Sequence, residues 1–348
     1  MGTCLEDTRI HPGMKTLVDS AGFRQFLSSR NLSEEQLAQH VALAERLESF
    51  SASSRLPQSL QEARYFVGCL LETATNTEAN FYAMARYGRF IKNNAIYTAV
   101  LEVLDGAEAI EGLYNRLTEV VGAEKRDQIF ESIDLPPLGL SNVFRARLNY
   151  ILIERMQQLL DPPTCRKILA PSLRTLPEEN YLPEREKYRQ AGSFDAYLEM
   201  KRSEFIAQLE QIMNSGALFF NQEITPEVIE LVRSNPEISQ GVREGNILYV
   251  TKIPYLAKDW LVEKDPQQKR YLYCHCPWAR ESLRQGERRV SATFCQCSAG
   301  FHKRAWEVIF ERTLEADVLQ SVLQGDDVCR FAIHLPVEEI EQDQSLLE

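Results

Sequence analysis

Two pairs of cysteines carry the strongest chemical signal in this sequence. Cys274 and Cys276 flank His275, Cys295 and Cys297 flank Gln296, and together they are half of the 8 cysteines. On a β-strand, side chains two residues apart point to the same face. If the 18 residues between the pairs formed a loop between two antiparallel strands, four thiols would meet. Because four cysteine sulfurs satisfy the tetrahedral preference of structural Zn²⁺, the pattern predicts a zinc site.

The same residues permit other chemistry, which the sequence leaves open. The thiols could line a ligand or catalytic pocket in the reduced form, join as cross-strand disulfides, or pack as inert core residues. A nucleophile is a further alternative, since Cys297 lies just before a predicted helix and close to Lys303 and Arg304, which favour a thiolate. His302 or His275 would then serve as the general base. His302 could also replace one cysteine as a metal ligand.

The composition indicates a folded protein that does not bind polyanions through its overall charge. The 348 residues are 44% hydrophobic and 26% charged, with a net charge of −11, which argues against a nucleic-acid coat protein. The stretch 269–312 differs, because it carries nine basic and four acidic residues. The positive electrostatic potential of this stretch would favour thiolates and attract an anionic ligand. Alternatively, these charged residues could form Arg–Glu pairs on a solvated surface.

No apolar run approaches the ~18 residues of a membrane span, and the N-terminus lacks a signal-peptide core. These observations predict a cytoplasmic protein that binds neither membranes nor nucleic acids. The expected partner is a small molecule, and a homodimer is compatible with the sequence. In a reducing compartment, clustered cysteines are more often metal ligands or reactive thiols than disulfides.

The elements that position these residues fall into two parts. The first is helical: Ser33 and Gln36 fit a capping box, and an apolar stripe from Leu37 predicts a helix to about residue 50. Helical patterns continue to about residue 160. Five prolines between 161 and 183 interrupt them, so we place the domain boundary there and predict a helical domain over 1–160 and a second domain over 161–348.

Short β-prone runs dominate after Gly245, and Ser298 is suited to cap a following helix. The turn Gly325-Asp326-Asp327 would join the last two runs, with its aspartates serving the turn. The sequence therefore predicts an α+β fold, helices followed by a β-β-β-α-β-β module. The predicted strands are 247–250, 270–276 and 290–295, followed by a helix over 299–313 and a hairpin of 314–323 with 328–335.

Two segments of the C-terminal third resemble a known family: CQCSAGF at 295–301 and SVLQGDDVCRF at 321–331. They resemble the 4-vinyl-reductase-like domain, an α+β module that binds small molecules in aromatic-compound sensors. A closer similarity is to an uncharacterised bacterial family with paired Cys-x-Cys motifs and to relatives named as 2-amino-thiazoline-4-carboxylate hydrolases. The resemblance covers about residues 245–336.

The resemblance implies a structural zinc ion, held in the sensor members by cysteines and an acidic residue beside a buried ligand pocket. It implicates Cys295 and Cys297, with Cys274 and Cys276 as the remaining ligands. The chain departs from the relatives in the uncharacterised family near 170–176, where they carry a further cysteine motif and this chain has only Cys165 nearby. The hydrolase activity is therefore not carried over.

These observations predict a zinc-stabilised, sensor-like protein that binds a small molecule between sheet and helix. The alternatives are a cysteine-dependent hydrolase that uses Cys297 with His302, and an interaction protein whose helical half binds a partner. The expected ligand-binding residues are four aromatic walls and two anion anchors: Tyr273, Trp278, Phe301 and Trp306, with Arg280 and Arg304.

Overall fold

The computed structural model describes residues 19–30, 32–49, 57, 59–72, 75–284 and 289–336. Helices make up the N-terminal part, and antiparallel strands lie in the C-terminal part, which confirms the predicted α+β class. The chain forms two compact units, Met1–Ala107 with Pro136–Ser141, and Glu108–Leu135 with Asn142–Glu348. The predicted domain boundary at 160/161 lies inside the second of these units.

The N-terminal unit is built from helices around an aromatic core. The predicted capping box forms: the Ser33 backbone N–H donates to Gln36 Oε1 (2.9 Å), and the Gln36 N–H donates to Ser33 Oγ (3.2 Å). Phe23 and Tyr87 are buried and pack edge to face, with ring centroids 5.1 Å apart. The helices are α1 (Ser20–Leu27), α2 (Glu34–Ser49), α3 (Leu60–Glu72), α4 (Glu78–Phe90) and α5 (Asn94–Leu104).

The C-terminal unit contains the remaining long helices. The first of them is broken at Gly122, whose backbone angles (φ 83°, ψ 165°) are not helical and suit glycine. The helices are α6 (Ala109–Ile129), α7 (Asn142–Leu159), α8 (Pro162–Leu169), α9 (Leu182–Gln190), α10 (Phe194–Ser215), α11 (Pro226–Ser234), α12 (Pro236–Ser239), α13 (Ala257–Val262), α14 (Pro266–Tyr273) and α15 (Cys295–Ile309).

A four-stranded antiparallel sheet lies in the same unit, with the strand order β3-β4-β6-β5. Its last two strands pair as the predicted hairpin, with Ala316 opposite Ile333. Asp326 serves the turn as expected, since its Oδ2 accepts the Ser321 backbone N–H at 2.8 Å. The strands are β1 (Leu218–Phe219) and β2 (Gln222–Glu223), which form a separate hairpin, and β3 (Val242–Glu244), β4 (Ile247–Thr251), β5 (Ala316–Gln320) and β6 (Arg330–His334).

Two of the predicted strands are wrong, and both involve the cysteine pairs. Residues 266–273 form α14, which begins at Pro266 after Asp265 accepts the Gln268 N–H (2.7 Å). Residues 292–294 form a short 3-10 turn that leads directly into α15. Ser298 therefore lies inside α15 rather than capping it, and the two cysteine pairs do not lie on paired strands.

The main core of this unit lies between its helices and one face of the sheet. It includes Leu152 from α7, Ile168 from α8, Trp278 and Ile333, all buried. A smaller cluster around Leu209 and Val228 joins α10, α11 and α13. Among the residues that the structure describes, no helix combines the length and apolar character needed to cross a membrane.

Candidate functional site

The first cysteine pair lies where α14 ends. Cys274 is the C-terminal cap of this helix, and its backbone N–H donates to the Arg270 carbonyl at 3.1 Å. The chain then turns, and the Cys276 carbonyl accepts the N–H groups of Ala279 and Arg280. Helix termination thus positions this pair, whereas the sequence predicted a strand.

The second pair forms the first turn of α15, which separates its two sulfurs. Residues two apart on an α-helix are rotated by about 200°, so the pair cannot share a face. Cys295 Sγ lies 3.1 Å from Ser321 Oγ. Cys297 Sγ accepts the Leu173 backbone N–H at 3.2 Å and lies 3.9 Å from Ser172 Oγ. The four thiols are therefore not arranged as the strand interpretation predicted.

A fifth cysteine joins them. Cys329 lies just before β6, and the backbone of Val322 hydrogen-bonds its thiol. Because Ser321 contacts Cys295 and the next residue contacts Cys329, the two thiols meet the same short stretch of chain. We call Cys274, Cys276, Cys295, Cys297 and Cys329 the thiol cluster.

The sulfurs of the thiol cluster influence one another electrostatically. Cys274, Cys297 and Cys329 are buried, and Cys276 and Cys295 are half-buried. Burial and then the neighbouring Cys329 raise the pKa of Cys274 to about 11, and the same two causes raise the pKa of Cys295. Burial, followed by Cys274, Cys297 and Cys295, raises the pKa of Cys276 well above its usual value. The cluster is thus protonated at neutral pH without a metal ion, and its members are free thiols.

Lys252, directly after β4, is the positive charge shared by this region. Its Nζ donates to Ser298 Oγ at 3.2 Å. Its ammonium acts on the titration of Cys274, Cys295, Cys297 and Cys329, in each case favouring the thiolate against the larger effect of burial. No carboxylate within salt-bridge distance of Lys252 occurs in the described part of the chain.

The segment that carries Lys252 is fixed by side chains that bind three consecutive carbonyls. The Tyr273 hydroxyl donates to the carbonyl of Lys252. His275 Nε2 lies 2.6 Å from the Ile253 carbonyl, which can only accept, so the proton is on Nε2. The Gln222 amide donates to the Pro254 carbonyl at 3.1 Å.

Both histidines near the cluster are neutral at physiological pH. Burial and then Lys252 lower the pKa of His275 well below its usual value and that of His302 to about 3. His302 stacks on Phe331, with 5.1 Å between ring centroids. Within the described ranges, no hydrogen bond joins a cysteine thiol to either histidine. A catalytic pair of Cys297 and His302 remains a prediction that the hydrogen bonds do not support.

Four of the expected ligand-binding residues are buried, and three of these lie next to the first cysteine pair. The carbonyl of Trp278 accepts the side-chain amide of Asn149 at 3.0 Å. The guanidinium of Arg280 lies over the ring of Tyr255, 4.1 Å from its centroid. Tyr273 is 1% exposed. These side chains hold the cysteine segment in place, and the Tyr273 hydroxyl also contacts the segment of Lys252.

The other three expected ligand-binding residues lie along α15. Phe301 is 36% exposed, and Arg304 Nε donates to the Leu176 carbonyl at 3.4 Å. Trp306 packs against Phe194, with ring centroids 5.5 Å apart. The six predicted residues therefore contact different neighbours, and a common ligand site for them remains a prediction.

The segment 170–173 passes between two helices at positions where only glycine fits. A Cβ on Gly300 of α15 would lie 2.2 Å from the Ala170 carbonyl oxygen, and one on Gly112 of α6 would lie 2.4 Å from that of Leu173. Ser172, with φ 71°, turns the segment toward Cys297. The sequence reasoning missed this segment, Cys329 and Lys252, since their roles come from contacts distant in sequence.

The arrangement of the thiols bears on the predicted zinc. Over the ranges that the structure describes, no group of three or more His, Cys, Asp or Glu side chains could hold a metal ion as it stands. The sulfurs thus share a buried region without being arranged around one point.

Comparison with known proteins finds one similarity. Residues 254–340, about a quarter of the chain, match the model of a family described as "Family of unknown function (DUF6144)". The matched stretch contains the whole thiol cluster and begins just after Lys252. No curated protein and no solved structure matches the chain.

Proposed function

We propose that the C-terminal unit is a zinc-binding module in which the ion stabilises the fold, and that the protein binds a small molecule beside it. The observation that carries the zinc proposal is the convergence of five thiols from the end of α14, the start of α15 and the start of β6. Thiolates in such numbers are the ligands of structural Zn²⁺, at Zn–S distances of ~2.3 Å. The small-molecule part rests on the resemblance to the 4-vinyl-reductase-like domain.

To bind one ion, the cysteine side chains must turn toward a common point. Turning a cysteine side chain away from its preferred rotamer costs on the order of 1 kcal/mol. Structural zinc sites supply about 10–16 kcal/mol on binding at neutral pH. The binding free energy therefore exceeds the cost of reorienting four side chains, even though the ion must also displace the thiol protons.

The contacts favour Cys329 over Cys297 as the fourth ligand beside Cys274, Cys276 and Cys295. After burial, Cys329 is the largest cause of the raised pKa of both Cys274 and Cys295, whereas Cys297 contributes to the raised pKa of Cys276. The sulfur of Cys297 is also held on the other face of α15 by Leu173. We propose the set Cys274, Cys276, Cys295 and Cys329 in place of the set expected from sequence.

The test is metal analysis of protein purified without added chelator. We expect about one zinc ion per chain, lost in Cys274→Ser, Cys295→Ser and Cys329→Ser but retained in Cys297→Ser. Cys165→Ser is the matched control, because this buried thiol bonds to the Met156 carbonyl outside the cluster. Wild-type protein without zinc, also after incubation with zinc under reducing conditions, would refute the proposal. Zinc lost from Cys297→Ser and kept by Cys329→Ser would restore the set predicted from sequence.

A further inference from the structure

Helix α7 carries apolar side chains on two opposite faces. One face packs into the core of the C-terminal unit, where Leu152 and Met156 are fully buried. On the opposite face, Phe144 is 57% exposed and Ile151 is 40% exposed. A helix at the surface of a globular unit normally has a polar outer face. The apolar outer face of α7 therefore indicates an interaction surface.

The exposed residues of this face form one continuous stripe. Phe144, Arg147, Ile151, Glu154 and Gln158 are all exposed, and at about 100° per residue they fall within an arc of about 80°. The stripe is about 21 Å long, from the helical rise of ~1.5 Å per residue. Its alternating steps of three and four residues are those of helices that pack along their length. We call these five residues the α7 stripe.

Hydrogen bonds on the flanks of the stripe hold α7 in a fixed orientation. Arg155 Nη1 donates to the carbonyls of Ile129 (3.0 Å) and Glu131 (2.7 Å), at the end of α6. On the other flank, Gln157 Nε2 donates to Thr293 Oγ1 at 3.0 Å. The stripe is thus a preformed surface, and a partner that docks on it does not have to order the helix first.

The two charged residues of the stripe have no ion pair within the residues that the structure describes. The Arg147 guanidinium lies over the ring of Phe144, 5.9 Å from its centroid. Arg147 and Glu154 cannot pair with each other, because ion pairs along a helix require a separation of about three or four residues and these two lie two turns apart. Each charge is therefore free to meet an opposite charge on a partner.

A second copy of this chain supplies those charges in the right order. In a two-fold symmetric interface every contact occurs twice. If two α7 helices pack antiparallel with Ile151 near the axis, Arg147 lies beside the partner's Glu154, and the symmetry repeats the pair. Parallel packing would instead place each charge against its own copy, which is repulsive. The α7 stripe is thus complementary to itself in the antiparallel orientation.

We propose that the protein forms a two-fold symmetric dimer through antiparallel packing of α7 on α7, with Ile151 at the axis and two reciprocal ion pairs between Arg147 and Glu154. The stripe lies outside the thiol cluster, so this inference does not depend on the proposed zinc site. A single pair of helices buries less surface than the ~1,600 Å² of a standard interface. We therefore expect a weak dimer, with a dissociation constant on the order of 10 µM.

The experiment is sedimentation equilibrium of the full chain from about 1 to 200 µM, at neutral pH, under reducing conditions and at low salt, which preserves exposed ion pairs. The average mass of the wild type should rise with concentration to twice the mass of the chain. Ile151→Glu places two carboxylates at the axis and should weaken the dimer by at least about 100-fold.

Charge reversal tests the orientation of the two helices. Arg147→Glu and Glu154→Arg each replace two attractive contacts by two repulsive ones and should weaken the dimer by about tenfold. The double variant restores opposite charges and should return to within about threefold of the wild type. An equimolar mixture of the two single variants should also form dimers, because one chain then carries only carboxylates along the stripe and the other only guanidinium groups.

Val262→Glu is the matched control for Ile151→Glu. Val262 is an apolar residue of α13, outside the stripe, and is 76% exposed. This variant should dimerise like the wild type. Far-ultraviolet circular dichroism checks that every variant is folded.

Three results would overturn the proposal. The first is a wild type that is monomeric at about 200 µM, whatever other protein is found to bind the stripe. The second is a dimer that Ile151→Glu leaves intact, because the interface then lies elsewhere. The third is a double charge variant that dimerises no better than the single variants, and this result decides the matter even if Ile151→Glu does not fold.

Discussion

Replacing Gly300 by alanine tests whether α15 and segment 170–173 are packed backbone to backbone. The added Cβ would lie 2.2 Å from the Ala170 oxygen and 2.5 Å from the Ser172 nitrogen, where real contacts are not shorter than 3.0 Å. Both neighbours are backbone atoms, so no side chain can rotate away. The helix or the segment must shift by nearly an ångström.

The expected cost follows from three contributions. Overpacking a buried contact costs about 1–3 kcal/mol. The shift also weakens the bond from Leu173 to Cys297, worth about 1 kcal/mol, whereas alanine gains up to ~1 kcal/mol over glycine inside a helix. We expect Gly300→Ala to destabilise the C-terminal unit by about 1–3 kcal/mol, a fall in Tm of about 3–10 °C for a unit of this size.

The assay is thermal unfolding followed by tryptophan fluorescence. All three tryptophans, Trp260, Trp278 and Trp306, belong to the C-terminal unit, so the signal reports this unit alone. Gly112→Ala should act in the same direction, because its Cβ would lie 2.4 Å from the Leu173 oxygen.

Gly68→Ala in α3 is the contrasting control, since nothing lies within 4 Å of its Cβ position. Circular dichroism should show no loss of stability for this variant. A Tm for Gly300→Ala equal to that of the wild type would show that the close contact does not exist in solution.

Two further predictions concern charged groups in the C-terminal unit. Burial alone would raise the pKa of Glu184, but bonds from Lys201, Lys187 and Tyr197 lower it from 4.5 to about 2. The carboxylate therefore contributes stability above pH 4.5, which is lost as the pH falls to about 2. In urea titrations Glu184→Gln should be about 1–3 kcal/mol less stable than the wild type at pH 7 and no less stable at pH 2. Lys303→Met should cost about 1–3 kcal/mol in the same assay at pH 7. The Glu307 carboxylate, 12% exposed, loses its partner at 2.7 Å and keeps the longer contact with Arg304 at 3.8 Å and the Leu314 N–H.

Each of these predictions has its own check. A stability difference for Glu184→Gln that is constant from pH 7 to pH 2 would contradict the assigned ion pairs. For Lys303, the double variant with Glu307→Gln should recover part of the loss, since the carboxylate that lost its close partner is then removed as well. A double variant as unstable as the sum of both single changes would argue against the pair.

Local signals in the sequence were sufficient for the fold class and for several elements. The capping box of Ser33 and Gln36 sets the start of α2, and the turn at Asp326 joins β5 and β6. Both signals act within a few residues, so no knowledge of tertiary contacts is needed.

The error at residues 270–276 has an identifiable cause. The aromatic and aliphatic side chains of this stretch suit a strand. The Asp265-Pro266 pair, however, starts a helix and was the stronger signal. The second wrong strand, 290–295, affected the site most, because a spacing of two residues aligns side chains on a strand and opposes them on the helix α15. Cys295 and Cys297 thus belong to different surroundings.

The remaining features could not be predicted, because they depend on distant parts of the chain. The sequence pattern around Cys329 indicates only an inward-facing residue of a strand. In the structure, Ser321 contacts Cys295 and the backbone of the next residue, Val322, contacts Cys329. Lys252 has no local pattern at all, since its three partners lie 21 to 77 residues away in the sequence.

The two glycines that enclose segment 170–173 also constrain how related sequences can differ. Because Gly112 and Gly300 both approach backbone atoms of this short segment, a larger residue at either position would have to be accompanied by a different backbone path of the segment. We therefore expect the two positions to change together with the length of the 170–173 segment, or not at all. In a set of related chains, positions 112 and 300 should change together although they lie 188 positions apart in the sequence.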